Sequence, residues 1–202
     1  MSTSDTSTTG VVTSGDTGSS TSLDPSDTSD PTLSIEPSAV LLFASNVQSG
    51  AFAMESTVAE AGGAACFDAA DEAGFVLECL WLVPIIATSE VGFPDLPDGH
   101  PGLDEGPLLS LDGDPLADSY EGLVDGVVAE TFEDAVTDLI GGANDPSFWW
   151  GPREAGEPHC SGWTTTAGNG QALTFDSASS LTLPSANPCN QQRHLLCACA
   201  VE

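Results

Sequence analysis

Four of the six cysteines in this chain fall between Cys160 and Cys199, and no other feature constrains its folding as tightly. The stretch opens Cys160-Ser161-Gly162-Trp163-Thr164 and closes Cys189-Asn190, then His194-Leu195-Leu196-Cys197-Ala198-Cys199. A final strand carrying so many sulfurs reads as the closing stave of a covalently stapled domain. In a reducing compartment six thiols would suggest metal or redox chemistry, and in an oxidising one they would be disulfides. A metal reading would group His159, Cys160, Cys189, His194, Cys197 and Cys199. Zinc sites usually carry close pairs such as Cys-x-x-Cys, and Cys197-Ala198-Cys199 is tighter than that.

Charge narrows the partners. The chain has 31 acidic residues against Arg153 and Arg193, no lysine, and a formal net charge of −29. Phosphate backbones, heparin-like polyanions and anionic lipid heads would be repelled, because a nucleic-acid face needs clustered basic residues. What remains is a cation, a basic partner, or simply a hydrated surface. No apolar run approaches the roughly 18 residues of a membrane span, so no transmembrane segment is expected.

Residues 1–38 are Ser, Thr, Asp, Gly and Pro without periodicity, a mix expected to remain a disordered linker. They show neither a basic n-region nor an apolar h-region. A secreted or lipid-anchored protein would therefore carry its signal in a segment upstream. Residues 39–202 read as one domain. A first strand is expected at Ala39–Ala44, and a helix over Val58–Ala73 with Thr57 or Ser56 as cap and Gly74 at its end. The Gly62-Gly63 pair argues that regular helix starts only after it. Cys66 and Ala70, four apart, share its inward face. Phe75–Ile86, with Leu77, Cys79, Trp81 and Val83 in alternation, reads as a second, buried strand. A Pro- and Gly-rich excursion follows. Leu109–Leu111 and Leu123-Val124 read as short strands before Asp-Gly turns. Thr131–Ile140 reads as a short acidic helix, Phe148–Gly151 as an aromatic strand, Thr164–Gly170 as loop, and Leu181–Leu183 and Leu195–Val201 as strands.

Ala65-Cys66 with Ala69 and Gly74, Trp81-Leu82, Leu123–Gly126, Trp149-Trp150-Gly151, Cys160–Thr164 and Cys189–Cys197 occur in an order that resembles the endostatin-like branch of the C-type-lectin-like fold. That branch is the C-terminal module of collagens XV and XVIII, and the chain looks closest to bacterial secreted or lipoprotein domains with that architecture. The resemblance spans residues 39–202. It implies an α+β, disulfide-stapled domain with short antiparallel strands and two helices. It also implies the nested bridges Cys66–Cys197 and Cys160–Cys189. Cys79 and Cys199 are extra to the family pattern. Cys199 shares a strand face with Cys197, which makes Cys79–Cys199 the natural third bridge.

A lectin-like fold raises calcium-dependent sugar binding, which needs hard oxygen ligands. The lectin pattern is broken here, since Glu157-Pro158 runs into His159 and Trp163 into Thr164-Thr165. Asp112, Asp114, Asp118 and Glu121 have an EF-hand-like rhythm that Pro115 and the lack of a central glycine interrupt. Asp112 and Asp114 stay as candidate ligand-binding residues, and Ca²⁺ as the one cofactor to consider. Trp149, Trp150 and Trp163 read either as a sugar-stacking platform, with Trp149 and Trp150 as candidate ligand-binding residues, or as core beside the disulfides. No Gly-x-Ser-x-Gly elbow accompanies His100, His159 or His194. The expected function is non-enzymatic binding or adhesion to a protein or glycan ligand, outside the cell or in its envelope. Residues 88–120 form the expected recognition surface. A Ca²⁺-assisted lectin and a secreted hydrolase are the alternatives.

Overall fold

A computed structural model describes residues 38–100, 102–104, 106–124, 147–151, 159–174 and 185–202. The chain divides into two units, and every described residue belongs to the second, Ile35–Glu202. The linker expected over residues 1–38, the helix at Thr131–Ile140 and the strand at Leu181–Leu183 lie outside the described residues, save Ser38. The described part is mixed α+β, built mostly of sheet.

The last strand organises it. Strands β1 (Ala39–Ala44), β2 (Gln48–Ser49), β3 (Trp81–Ile85) and β6 (Ser147–Trp149) all pair with β9 (Gln192–Val201). β1 and β3 flank its C-terminal half antiparallel, with Leu42 opposite Ala198 on one side and Val83 opposite Ala198 on the other. β2 and β6 take its N-terminal half, β6 running parallel. Beyond β1 lie β4 (Leu108–Leu109) and β5 (Pro115–Ala117). Beyond β6 lie β7 (Asn169–Thr174) and β8 (Ser185–Pro188). A strand hydrogen-bonded on both edges and covered on both faces should read as an unbroken apolar run. Leu195 through Ala200 are all buried accordingly.

Helix α1 (Val58–Ala73) lies against this sheet. The Thr57 hydroxyl accepts the Glu60 N–H at 3.2 Å, while the Glu60 carboxylate accepts the Thr57 N–H at 3.0 Å, a reciprocal cap. The Thr57 N–H, together with the Thr57 hydroxyl donating to the same carboxylate at 2.9 Å, holds the Glu60 carboxyl below the usual range. Gly74, at φ 86°, ends the helix in the left-handed conformation. The helix includes Gly62 and Gly63, contrary to the expectation that it starts after them. Close packing overrides propensity, since a Cβ on Gly62 would stand 2.8 Å from Pro84 Cγ.

Three disulfides fasten these elements. Cys66 of α1 bridges to Cys197, Cys79 to Cys199, and Cys160 to Cys189, with Cα separations of 5.7, 5.2 and 5.6 Å. None of the cysteines is free, and a protein so bridged belongs to an oxidising, extracellular-type environment.

Four expected strands are shorter, shifted or absent; Leu109–Leu111 gives way to Leu108–Leu109, and Phe148–Gly151 to Ser147–Trp149. Phe75–Ile86 is not one strand: Val76–Glu78 form a 3₁₀ turn, and only Trp81–Ile85 pair. Leu77, expected inward, is 97% exposed, because the turn rotates it off the sheet's alternation. Leu123-Val124 belong to a second helix, α2 (Tyr120–Val124), not a hairpin arm. The Ser119 hydroxyl accepts the Gly122 N–H and starts that helix. β7 begins at Asn169, inside the expected loop, and β9 begins three residues before Leu195.

Candidate binding cleft

The segment from Thr88 to Leu103 leaves the sheet after β3 yet is held firmly from below. Phe93, Leu96 and Leu103 are buried. Phe93 stacks on Trp150 and, with centroids 5.4 Å apart, on Tyr120. The Tyr120 hydroxyl donates to the Phe93 carbonyl at 2.8 Å. Burial, with Asp104 adding its negative charge, pushes that phenol well above its ordinary value. At the segment's start the Thr88 hydroxyl accepts the N–H groups of Glu90 and Val91, and the Thr88 N–H donates to the Val91 carbonyl. This tight turn presents Val91 to solvent, 38% exposed.

Between this segment, α1 and β3 lies a cleft of about 220 Å³. Val58, Leu82, Val83, Pro84, Ile86 and Val91 give it aliphatic walls, Gly63 leaves one side without a side chain, and Thr88 and His100 supply polar edges. Nothing stands within 4 Å of where a Gly63 Cβ would be. Burial lowers the His100 pKa from its ordinary value. As pH falls, the unfolded chain protonates this histidine before the folded one does. Its contribution to stability is present above the unfolded pKa of about 6.5 and is lost on acidification. The difference in unfolding midpoint between wild type and His100→Asn is therefore expected to change between pH 7.5 and pH 5, with wild type losing relatively more. Parallel urea titrations at the two pH values check this.

The structure does not gather the residues singled out from the sequence into one site. Asp112 and Asp114 are exposed on the β4–β5 turn, where Gly113 adopts φ 88° and Ser110 accepts the Asp114 N–H. Trp149 and Trp150 are 0% and 4% exposed, so neither offers a free ring face to a sugar. Trp149 instead donates to the Gln48 carbonyl and packs edge-on against Trp163. Trp163, also fully buried, donates to the Ala87 carbonyl at 3.0 Å. It closes a left-handed turn in which Cys160, Ser161 and Trp163 all have positive φ. That conformation costs roughly 1–2 kcal/mol per residue, and the Cys160–Cys189 bridge and the buried indole hold it in place. Gly170 admits this packing, since a Cβ there would lie 2.6 Å from Cys160 Sγ. His194 Nδ1 meets the Ser45 carbonyl, a backbone partner rather than a nucleophile. Among the described residues, no three His, Cys, Asp or Glu side chains converge for a metal ion. Nor is any helix there long and apolar enough to cross a membrane.

The cleft went unread in the sequence because its walls come from three separated segments, none with a motif. The Gly62-Gly63 pair was its one local signal. No protein-family model matches this chain, and no curated protein matches it.

Proposed function

We propose that the chain is a non-enzymatic binding or adhesion module of the extracellular space or cell envelope, secreted or lipid-anchored. Its recognition surface is the loop region of residues 88–120, with the cleft beside α1 as its centre. The observation that carries this reading is the anchoring of the Thr88–Leu103 segment. Buried Phe93, Leu96 and Leu103 fix its underside while Val91, Asp95 and Asp98 stay exposed above. A surface ordered before binding loses little entropy when it meets a ligand. The endostatin-like, C-type-lectin-like architecture belongs to the same proposal. It is supported by the antiparallel pairing of the first strand with the last and by the bridge from α1 to the last strand.

The test is a screen of the oxidised chain against a glycan array, with and without Ca²⁺, and against a displayed random-peptide library, with a panel of esterase, glycosidase and peptidase substrates in parallel. Retention of a ligand is expected, with at least a tenfold loss in the Val91→Ser variant and no turnover. Calcium-dependent glycan signals would move the function to a lectin. Turnover would make it a hydrolase.

A further inference from the structure

We infer that the cleft takes one aliphatic side chain from a basic peptide segment of a partner protein. This rests on the cleft being the recognition site proposed above and specifies what enters it. Size comes first. About 220 Å³ is below the roughly 300–1,000 Å³ of pockets that enclose whole small molecules. It suits a single side chain delivered by a larger partner whose remaining surface stays outside. The walls set the chemistry of that side chain, being aliphatic on α1, on β3 and at Val91.

Charge then selects the flanking residues. Glu60, Glu90, Asp95 and Asp98 are exposed and each is adjacent in sequence to a residue lining the cleft. Among the described residues, no Lys or Arg lines the cleft to offset them. Arg193 is the sole Lys or Arg among the described residues, and its guanidinium donates to Asn187 and Gln191 beside the Trp149 ring. An acidic segment would be repelled by this rim and by the net charge of −29. A lysine- or arginine-flanked apolar residue gains from both the walls and the rim, and the field accelerates its arrival. Gly63 lines the cleft, and nothing stands within 4 Å of where its Cβ would be, so a side chain there has open space beside the cleft, on a helix that glycine itself weakens.

The experiment is calorimetric titration of the oxidised full chain with three capped hexapeptides: two leucines flanked by lysines, the same leucines flanked by glutamates, and two serines flanked by lysines. The lysine–leucine peptide is expected to bind saturably at 1:1 and at least tenfold more tightly than either control, weakening as salt is raised. Gly63→Leu is expected to abolish that binding while keeping or raising the melting temperature, so the loss is not unfolding. The paired change Asp95→Asn with Asp98→Asn is expected to weaken it several-fold. Equal binding of the serine peptide, or binding untouched by Gly63→Leu, would reduce the effect to adsorption on an acidic surface and overturn the inference. Preference for the glutamate peptide would do the same. If all three peptides fail while the screen above yields a ligand sensitive to Val91→Ser, this inference alone falls. If neither experiment gives binding, the recognition reading falls with it.

Discussion

Replacing Cys66 and Cys197 together by alanine is expected to lower stability by about 3 kcal/mol and to leave a folded domain. The figure follows from chain entropy rather than from the long span of the bridge. Cys66–Cys197 closes a separation of 131 residues and Cys79–Cys199 one of 120, but the two lie side by side on β9. With Cys79–Cys199 intact, losing the first bridge frees only the path from Cys66 to Cys79 plus the step from Cys197 to Cys199. That is a loop of about 15 residues, worth about 3 kcal/mol. The converse single removal, at Cys79 and Cys199, should cost about the same. Removing both releases the whole outer loop. Shortened by the surviving Cys160–Cys189 bridge, that loop is about 100 residues long and adds about 4.7 kcal/mol. The two bridges are thus strongly non-additive, and the double removal reaches the roughly 5–15 kcal/mol that holds an ordinary domain together. Guanidinium unfolding of the two single-bridge variants and the double variant checks this. Additive costs near 3 kcal/mol each would show that the bridges do not restrain a shared loop.

That coupling was partly visible in the sequence. The two-residue spacing of Cys197 and Cys199 put both sulfurs on one face of a strand, which is a property of any extended chain. Spacing alone could not choose their partners among the 15 pairings that six cysteines allow; the resemblance implied Cys66 for Cys197, and Cys79, extra to that pattern, was the natural partner left for Cys199. Local signals with a strong mechanism read well: Thr57 and Gly74 bracket α1, and Cys66 with Ala70 faces inward at 0% exposure. Reading failed where periodicity was short. Leu77, Cys79, Trp81 and Val83 alternate as a strand would, yet Gly74 is followed by a 3₁₀ turn that exposes Leu77 before pairing begins. Leu123-Val124 before Asp125-Gly126 resembled a hairpin, while the Ser119 cap upstream was the stronger signal. The cleft was hidden for a different reason. The doublet Gly62-Gly63 looks like a helix defect in sequence, and only the sheet beside it shows that one glycine admits Pro84 and the other keeps a cavity open.

Phe93→Ala is expected to cost about 3–5 kcal/mol, the usual range for emptying a buried aromatic site, and to remove the cleft as an ordered feature. Phe93 is 1% exposed and is the ring on which Tyr120 and Trp150 stack. It is also the point at which the Thr88–Leu103 segment is tied to the core through its carbonyl and the Tyr120 hydroxyl. Without the ring, Val91 and His100 lose the support that holds them opposite α1 and β3. Amide exchange in residues 88–100 should accelerate more than exchange in β9, whose pairs with β1 and β3 are untouched. Tyr120→Phe is the milder companion. It removes one hydroxyl and leaves the Phe93 carbonyl without that donor, at about 1–3 kcal/mol. The phenol also carries a pH signature. Because it is held protonated above its ordinary range, the unfolded chain ionises first as pH rises past about 10, and wild-type stability falls there. Tyr120→Phe should blunt that alkaline loss, and Phe93→Ala, by loosening the pocket and bringing the phenol back toward its ordinary value, should shrink the loss and end it at a lower pH. Denaturant unfolding at pH 7 and pH 10.5 with exchange measured on the same three proteins provides the check. A Phe93→Ala cost below about 1 kcal/mol, or unchanged exchange across residues 88–100, would mean that the recognition surface is ordered by something other than this aromatic anchor.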